Sequence, residues 1–159
     1  VTAQEIRAKC RRLANSEDGL GLVVIDYLQL VSSGSRRVES RQVEVSEISR
    51  SLKTMALELG VPVIALSQLS RSAEKRESNQ PMLADLRESG SLEQDADMVL
   101  FINRKDYYEK AKDFNQKIVP AELIIAKHRK GGLGTVNLLF ELNMSSFKSQ
   151  LKAAGDENE

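Results

Sequence analysis

Asp26 follows directly on the apolar run Leu22, Val23, Val24 and Ile25. A run of this kind, rich in β-branched residues, predicts a strand buried on both faces and sets the acid at its carboxyl end, where α/β sheets bind ligands. A carboxylate there can orient the magnesium ion of a bound nucleotide, because a hard cation takes oxygen donors. The same pattern describes an ordinary acid leaving a buried strand. Gln68 closes a second apolar run, Val61 to Leu66. In a parallel sheet its amide would share an edge with Asp26 and could hydrogen-bond a γ-phosphate or an attacking water; the alternative is a polar residue that merely ends a strand. Lys127 and Arg129 leave a later strand-like segment two residues apart, and the strand period of two turns them to one side. Two adjacent cations suit the spread negative charge of phosphoryl transfer, although a solvated hairpin rim has the same composition. His128, between them, should face the other way.

Further basic residues fall on loops: Arg36, Arg37 and Arg41, then Arg71, Lys75 and Arg76, then Arg87 with Gly90 close by. Each could neutralise a phosphate of a polyanion, and a glycine lets its backbone approach closely. Aromatic residues make up 4% of the chain and tryptophan is absent, so stacking contributes little. A nucleic acid would be held by its backbone with little sequence preference. Charged surface loops of no function have the same look.

The elements that must position these residues follow from the apolar pattern. Thr2 and Glu5 form a capping-box pair before a helix carrying Ile6, Cys10 and Leu13, which ends near Gly19. The strand ending at Asp26 comes next, then a Ser- and Gly-rich loop over residues 32 to 40. Val45, Ile48, Leu52, Met55 and Leu59 define one buried helix face, with Gly60 as its stop. With the strand that follows, this makes a βαβ unit. Residues 69–92 are polar without period and are expected to form a long loop. Met98 to Ile102 is a third strand, residues 105–117 a charged excursion, and Glu122 to Ala126 with Thr135 to Phe140 a hairpin joined through glycines. The last dozen residues should fray.

The chain has 159 residues, 41% of them hydrophobic, which suits one domain. Its 23 basic and 23 acidic side chains cancel, so any polyanion site is local rather than a property of the whole surface. One cysteine and one histidine leave no disulfide framework and no structural zinc cluster, which fits a cytoplasmic setting. No apolar stretch approaches the roughly 20 residues needed to cross a bilayer, so no membrane partner is expected. The first residue, Val1, on what reads as a helix, suggests a piece of a longer protein.

Taken in order, several strings are diagnostic. Ile25 to Leu30, Arg41 and Gln42 leading into Glu47 to Lys53, and Val61 to Arg71 resemble the RecA-like motor domain of DnaB-type replicative DNA helicases, and Asp85 to Asp97 and Ile124 to Gly131 continue the match. The resemblance runs from about Thr2 to Phe147. It implies an α/β fold with a RecA-like P-loop NTPase core: a mostly parallel twisted sheet flanked by helices, with a C-terminal antiparallel hairpin, incomplete at its N-terminal side. Residues 1–147 would be a partial motor domain and residues 148–159 a flexible acidic tail.

Members of that family form homo-hexameric rings that use ATP and Mg2+ to translocate along single-stranded DNA and open the fork, and they work with a primase and a helicase loader. The resemblance makes Asp26 the Walker B acid and metal ligand. Gln68 becomes the residue that passes the γ-phosphate state to the DNA loops. Lys127 and Arg129 become cations inserted into the neighbouring subunit's ATP site, Arg129 being the arginine finger. Arg87, Glu88 and Gly90 match the central-channel loop that follows DNA, and the loop cations Arg36, Arg37 and Arg71, read from charge alone, are further candidate DNA contacts. His128 and Lys130 stand where the family often has Gln and Asn.

No Gly-x-x-x-x-Gly-Lys-Ser/Thr loop occurs in the 159 residues, and the family's catalytic glutamate also precedes the matched region. The chain by itself is therefore expected not to hydrolyse ATP. Two other readings share the residues: another RecA-fold ATPase such as a strand-exchange recombinase, and a non-catalytic module binding single-stranded DNA or a helicase partner.

Overall fold

The computed structural model describes residues 1–34, 40–70, 80–104 and 117–150, with the side chains of 87–89 left aside. Arg36, Arg37, Arg71, Lys75 and Arg76, most of the charged excursion and residues 151–159 lie outside them. The chain forms two compact units, one of residues 1–71 and 83–96, the other of residues 72–82 and 97–159.

The first unit is the expected βαβ arrangement with a helix before it. Helix α1 spans Ala3–Ala14 and opens on the full capping box: the Thr2 amide donates to Glu5 at 2.7 Å and the Glu5 amide to the Thr2 hydroxyl at 3.2 Å. These bonds hold the Glu5 carboxyl below its ordinary pKa. Strand β1 (Val23–Ile25) pairs in parallel with β2 (Val63–Ala65), in the register Val23 with Val63 and Ile25 with Ala65. Between them runs α2 (Arg41–Leu59), capped by the Ser40 hydroxyl and stopped by Gly60 at φ +63°, a left-handed turn glycine adopts without steric cost. Ile48, Leu52 and Met55 of α2 pack with Ala3, Cys10, Ile25, Leu28 and Val31 into one core. Arg7 and Arg11 of α1 both pair with Glu58 of α2, tying the two helices at their surface.

β1 was expected to be buried on both faces, and it is not. Ile25 is buried, but Leu22 and Val24 are exposed, as are Ile64 and Leu66 of the neighbouring run. Period two and the pairing of Val24 with Ile64 put these four on one face, so the sheet covers its core side and leaves an apolar strip on the other.

The described part of the polar stretch 69–92 is also more ordered than a loop. A 3-10 helix runs over Leu83–Ser89 and continues into α3 (Gly90–Asp95). α3 docks on α2 through polar side chains, Ser91 donating to Ser46 at 2.9 Å and Ser49 to Asp95 at 2.7 Å, together with Leu92 packed on the core, while Leu86 and Asp85 are buried.

The second unit is an antiparallel sheet in the order β3 (Met98–Asn103), β4 (Ile118–His128), β5 (Gly134–Glu141), β6 (Ser146–Ser149). The antiparallel part is thus larger than a hairpin, and β6 takes in Lys148 and Ser149, which were assigned to the tail. Along β3 burial alternates, Val99, Phe101 and Asn103 inward, Met98, Leu100 and Ile102 outward. Pro120 lies on β4 beyond the described end of β3 at the Asn103–Glu122 pair, where no described residue on that side needs its missing N–H. Parallel and antiparallel sheets with flanking helices make the chain α/β.

Candidate functional site

Asp26 and Gln68 emerge at the same end of the two-stranded parallel sheet. The Leu66 amide donates to the Ile25 carbonyl at 2.9 Å and the Leu28 amide to the Leu66 carbonyl at 2.9 Å, so the two chains stay side by side past the strands themselves. The peptide bond between Asp26 and Tyr27 is cis. Both Asp26 and Gln68 are exposed. Gln68 lies beyond the end of β2 rather than on it, and what holds it is a residue with no assigned role in the sequence: Gln29. Its side-chain amide donates to the Ser67 hydroxyl at 3.1 Å and to the Gln68 carbonyl at 3.4 Å, and its oxygen accepts from the Gln68 amide at 3.5 Å.

Gln29 is itself held. The Arg41 guanidinium donates to the Gln29 carbonyl at 2.8 Å and pairs with Glu44 one helical turn on. The other Glu44 oxygen accepts from the Ser33 amide at 3.2 Å. Arg41 hydrogen-bonding and the Ser33 contact keep the Glu44 carboxyl below its ordinary pKa. Arg41, read as a loop cation, is therefore committed to structural bonds.

From the same unit, the Ser70 amide donates to the Asp85 carbonyl at 3.1 Å. The chain just after Gln68 is thereby bonded to the 3-10 helix that bears Arg87 and Glu88 at its end. Gly90, at the first position of α3, is exposed, and a methyl group added there would meet nothing within 4 Å.

Lys127 and Arg129 belong to the other unit. Lys127 pairs opposite Val99, and Met98 opposite His128. A bulge with Ala126 as its extra residue precedes them, since Val99 faces Lys127 but Leu100 faces Ile125. Beyond the strand the Arg129 amide donates to the Asp97 carbonyl at 2.9 Å, and its guanidinium pairs with the Asp97 carboxylate at 3.2 Å. Opposed residues share a face, so within the strand Lys127 shares the Val99 face and His128 the Met98 face, while Arg129 lies just past the strand end. The side chains of Arg129 and Asp97 are 48% and 62% exposed, and an ion pair that wet contributes about 0.2–1 kcal/mol. His128 is half-buried, its ring so close to the Gly131 Cα that a Cβ there would clash at 2.3 Å.

The donor set at Asp26 and Gln68 is one hard carboxylate and one amide. Among the described residues no group of three or more His, Cys, Asp or Glu could hold a metal ion. Such a set suits magnesium carried in by a nucleotide and held largely by phosphate and water, rather than a resident metal. A shallow groove of about 620 Å3 between α1 and α2, lined by Arg7, Ser46, Arg50 and Thr54 among others, contains none of the predicted residues. No described helix is long and apolar enough to cross a membrane.

Gln29, Glu44 and Asp97 are the residues that sequence reasoning missed. Their bonds reach across 11 to 39 positions of chain and leave no local period. The one available signal was that Gln29 and Asp97 sit inside strings already recognised.

Comparison with known proteins gives this geometry its context. The family model described as DnaB-like helicase C-terminal domain matches residues 1–149. The replicative DNA helicase DnaB of Geobacillus stearothermophilus is 58% identical over 92% of this chain, and the replicative DNA helicase DnaC of Bacillus subtilis is 56% identical over 92%. The chain spans about a third of those relatives, 32% of each. A solved DnaB-like replicative helicase, described with its interactions with primase, superposes with a TM-score of 0.83 at 46% identity, covering 94% of this chain and 36% of the other. An ATPase domain matches with the same TM-score of 0.83 over 94% of this chain and 52% of its own. The strands, the two polar residues at the parallel sheet end and the cation pair thus occur in a chain that belongs to the DnaB-like helicase C-terminal domain family.

Proposed function

We propose that residues 1–147 are part of the motor domain of a hexameric, ATP-dependent replicative helicase that moves along single-stranded DNA in the cytoplasm and opens the replication fork. The observation that carries this reading is the pairing of Ile25 with Ala65, which brings the Asp26 and Gln68 segments to one end of a parallel sheet. Asp26 would hold the magnesium of a bound ATP, which supplies the phosphoryl group. Gln68 would face the γ-phosphate or the attacking water. Lys127 and Arg129 would act on the nucleotide of a neighbouring subunit, spreading the charge that develops on transfer. Arg36, Arg37, Arg71, Arg87, Glu88 and Gly90 would follow the DNA backbone.

Family membership sets aside the recombinase reading. The phosphate-binding loop and the catalytic glutamate would come from elsewhere in a longer chain, packed against the apolar strip of Leu22, Val24, Ile64 and Leu66. A primase and a loader are partners by the same reasoning, a primase being described with one of the matched structures.

The test has two arms. Full-length protein containing this chain should unwind a forked duplex with ATP, and Asp26→Ala should abolish it. The isolated 159-residue chain should turn over no ATP. Turnover by the isolated chain, lost in Asp26→Ala, would overturn the claim that the site is completed from outside.

A further inference from the structure

The polar residues around Gln29 form a continuous strap. Glu44 accepts from the Ser33 amide and pairs with Arg41, Arg41 donates to the Gln29 carbonyl, and the Gln29 side chain makes three bonds to Ser67 and Gln68. Three elements meet in it: the turn after β1, the first turn of α2 and the exit of β2. Apart from the strap, the exit of β2 has the backbone bonds of Leu66 to Ile25 and Leu28, which precede Ser67 and Gln68, and that of Ser70 to Asp85, which follows them. Gln29 and Glu44 are half-buried, and the Gln29–Ser67 and Ser33–Glu44 bonds are partly sheltered from water, while the bonds of Gln29 to the Gln68 backbone and to Arg41 are exposed.

We propose that Gln29 is a positioning residue for Gln68, anchored through Arg41 and Glu44. It fixes the backbone of Gln68 relative to Asp26, so that the amide side chain meets the γ-phosphate or attacking water in one orientation. It touches neither nucleotide nor metal. The proposal rests on the reading of Gln68 given above and adds to it the residue through which that amide is set.

The test is a double-mutant cycle in the full-length protein, measuring kcat and KM for ATP. Gln29→Met keeps the volume and removes the amide. It should lower kcat about ten- to a hundred-fold, the scale of a misplaced catalytic group, with KM within about two-fold because ground-state binding is untouched. Gln68→Ala should lower kcat at least as much, and Gln29→Met added to Gln68→Ala should cost nothing further, since one acts through the other. Glu44→Ala should show a smaller loss of kcat of the same kind, and Glu44→Gln, which retains an acceptor for the Ser33 amide, should recover part of it.

An unchanged kcat in Gln29→Met, or losses that multiply in the double variant, overturns the strap. A rise in KM matching the fall in kcat also overturns it, as that marks general disruption of the site. If Gln29→Met fails to fold, the Glu44→Ala and Gln68→Ala pair is read by the same criterion. An unaltered kcat in Gln68→Ala would instead overturn the assignment of Gln68 itself, so the two failures are distinct.

Discussion

The exit of the parallel sheet and the end of β4 both carry candidate chemistry, and they are held in opposite ways. At the first, Gln68 is held by a chain of hydrogen bonds that begins at the half-buried Glu44 and passes through the exposed Arg41 to Gln29. At the second, Arg129 rests on an exposed ion pair with Asp97 and on one backbone bond. A residue that must read a phosphate bound to its own sheet gains from a rigid frame, because small displacements cost rate. A cation that acts on a different subunit must leave whatever it rests on, and a weak surface pair is easily exchanged for a phosphate. On the roles proposed above for Gln68 and Arg129, the difference teaches that a reader of its own sheet's ligand and an actor on a neighbour's call for different amounts of restraint.

The comparison is broken or sharpened first by Arg129→Ala in the full-length protein. Its kcat should fall about 10³-fold, as for loss of an arginine finger, while thermal stability shifts little, since an exposed side chain is removed. A large loss of stability with modest loss of rate would make Arg129 a structural residue and erase the contrast. A mixing experiment adds to this: Asp26→Ala subunits, which retain Arg129, combined with Arg129→Ala subunits, which retain Asp26, should recover some turnover where intact residues face each other.

The second way is pH. Glu44 has a folded-state pKa below its ordinary value of 4.5, so its contribution to stability is present above that value and fades as pH falls through the lower folded pKa. The stability gap between the native protein and Glu44→Gln, measured by urea unfolding, should therefore be open at pH 7 and narrow as pH falls below the ordinary carboxylate range. A gap that stays the same size from pH 7 down to the acid limit of folding would mean that the Glu44 carboxylate does not hold the strap.

The smallest expected effect is that of Asp97→Asn. Removing the charge should change stability by less than about 1 kcal/mol and should leave the sheet intact, because the Asp97 carbonyl still accepts from the Arg129 amide. A change of several kcal/mol would show that the β4 end is as tightly built as the β2 exit.

Much of the frame was legible in the sequence because its signals are local. The capping box at Thr2 and Glu5, the 3-4-3-4 spacing of α2, the stop at Gly60 and the two apolar runs are all set by neighbours a few positions apart. The segment Leu83–Asp95 was not legible, since its helices dock through Ser46, Ser49, Ser91 and Asp95, whose pairing spans some 45 positions of chain. β6 was missed for a related reason: Ser146–Ser149 is mostly polar and is a strand because β5 offers it an edge and Phe147 packs on Phe140, with ring centroids 4.7 Å apart. The same limit hid Gln29, whose type at position 29 says nothing until Ser67 and Gln68 arrive beside it.

One feature of the α1–α2 core gives the molecule a built-in clock. Cys10 is the sole thiol in the chain, it is 7% exposed among Ile48, Leu52 and Met55, and burial pushes its pKa above the ordinary thiol value. A thiol reagent in solution should reach it mainly when the core around it opens, so the alkylation rate reports those openings. The rate measured with and without the rest of the protein then reports, without any engineered label, how much of this unit's cohesion is its own.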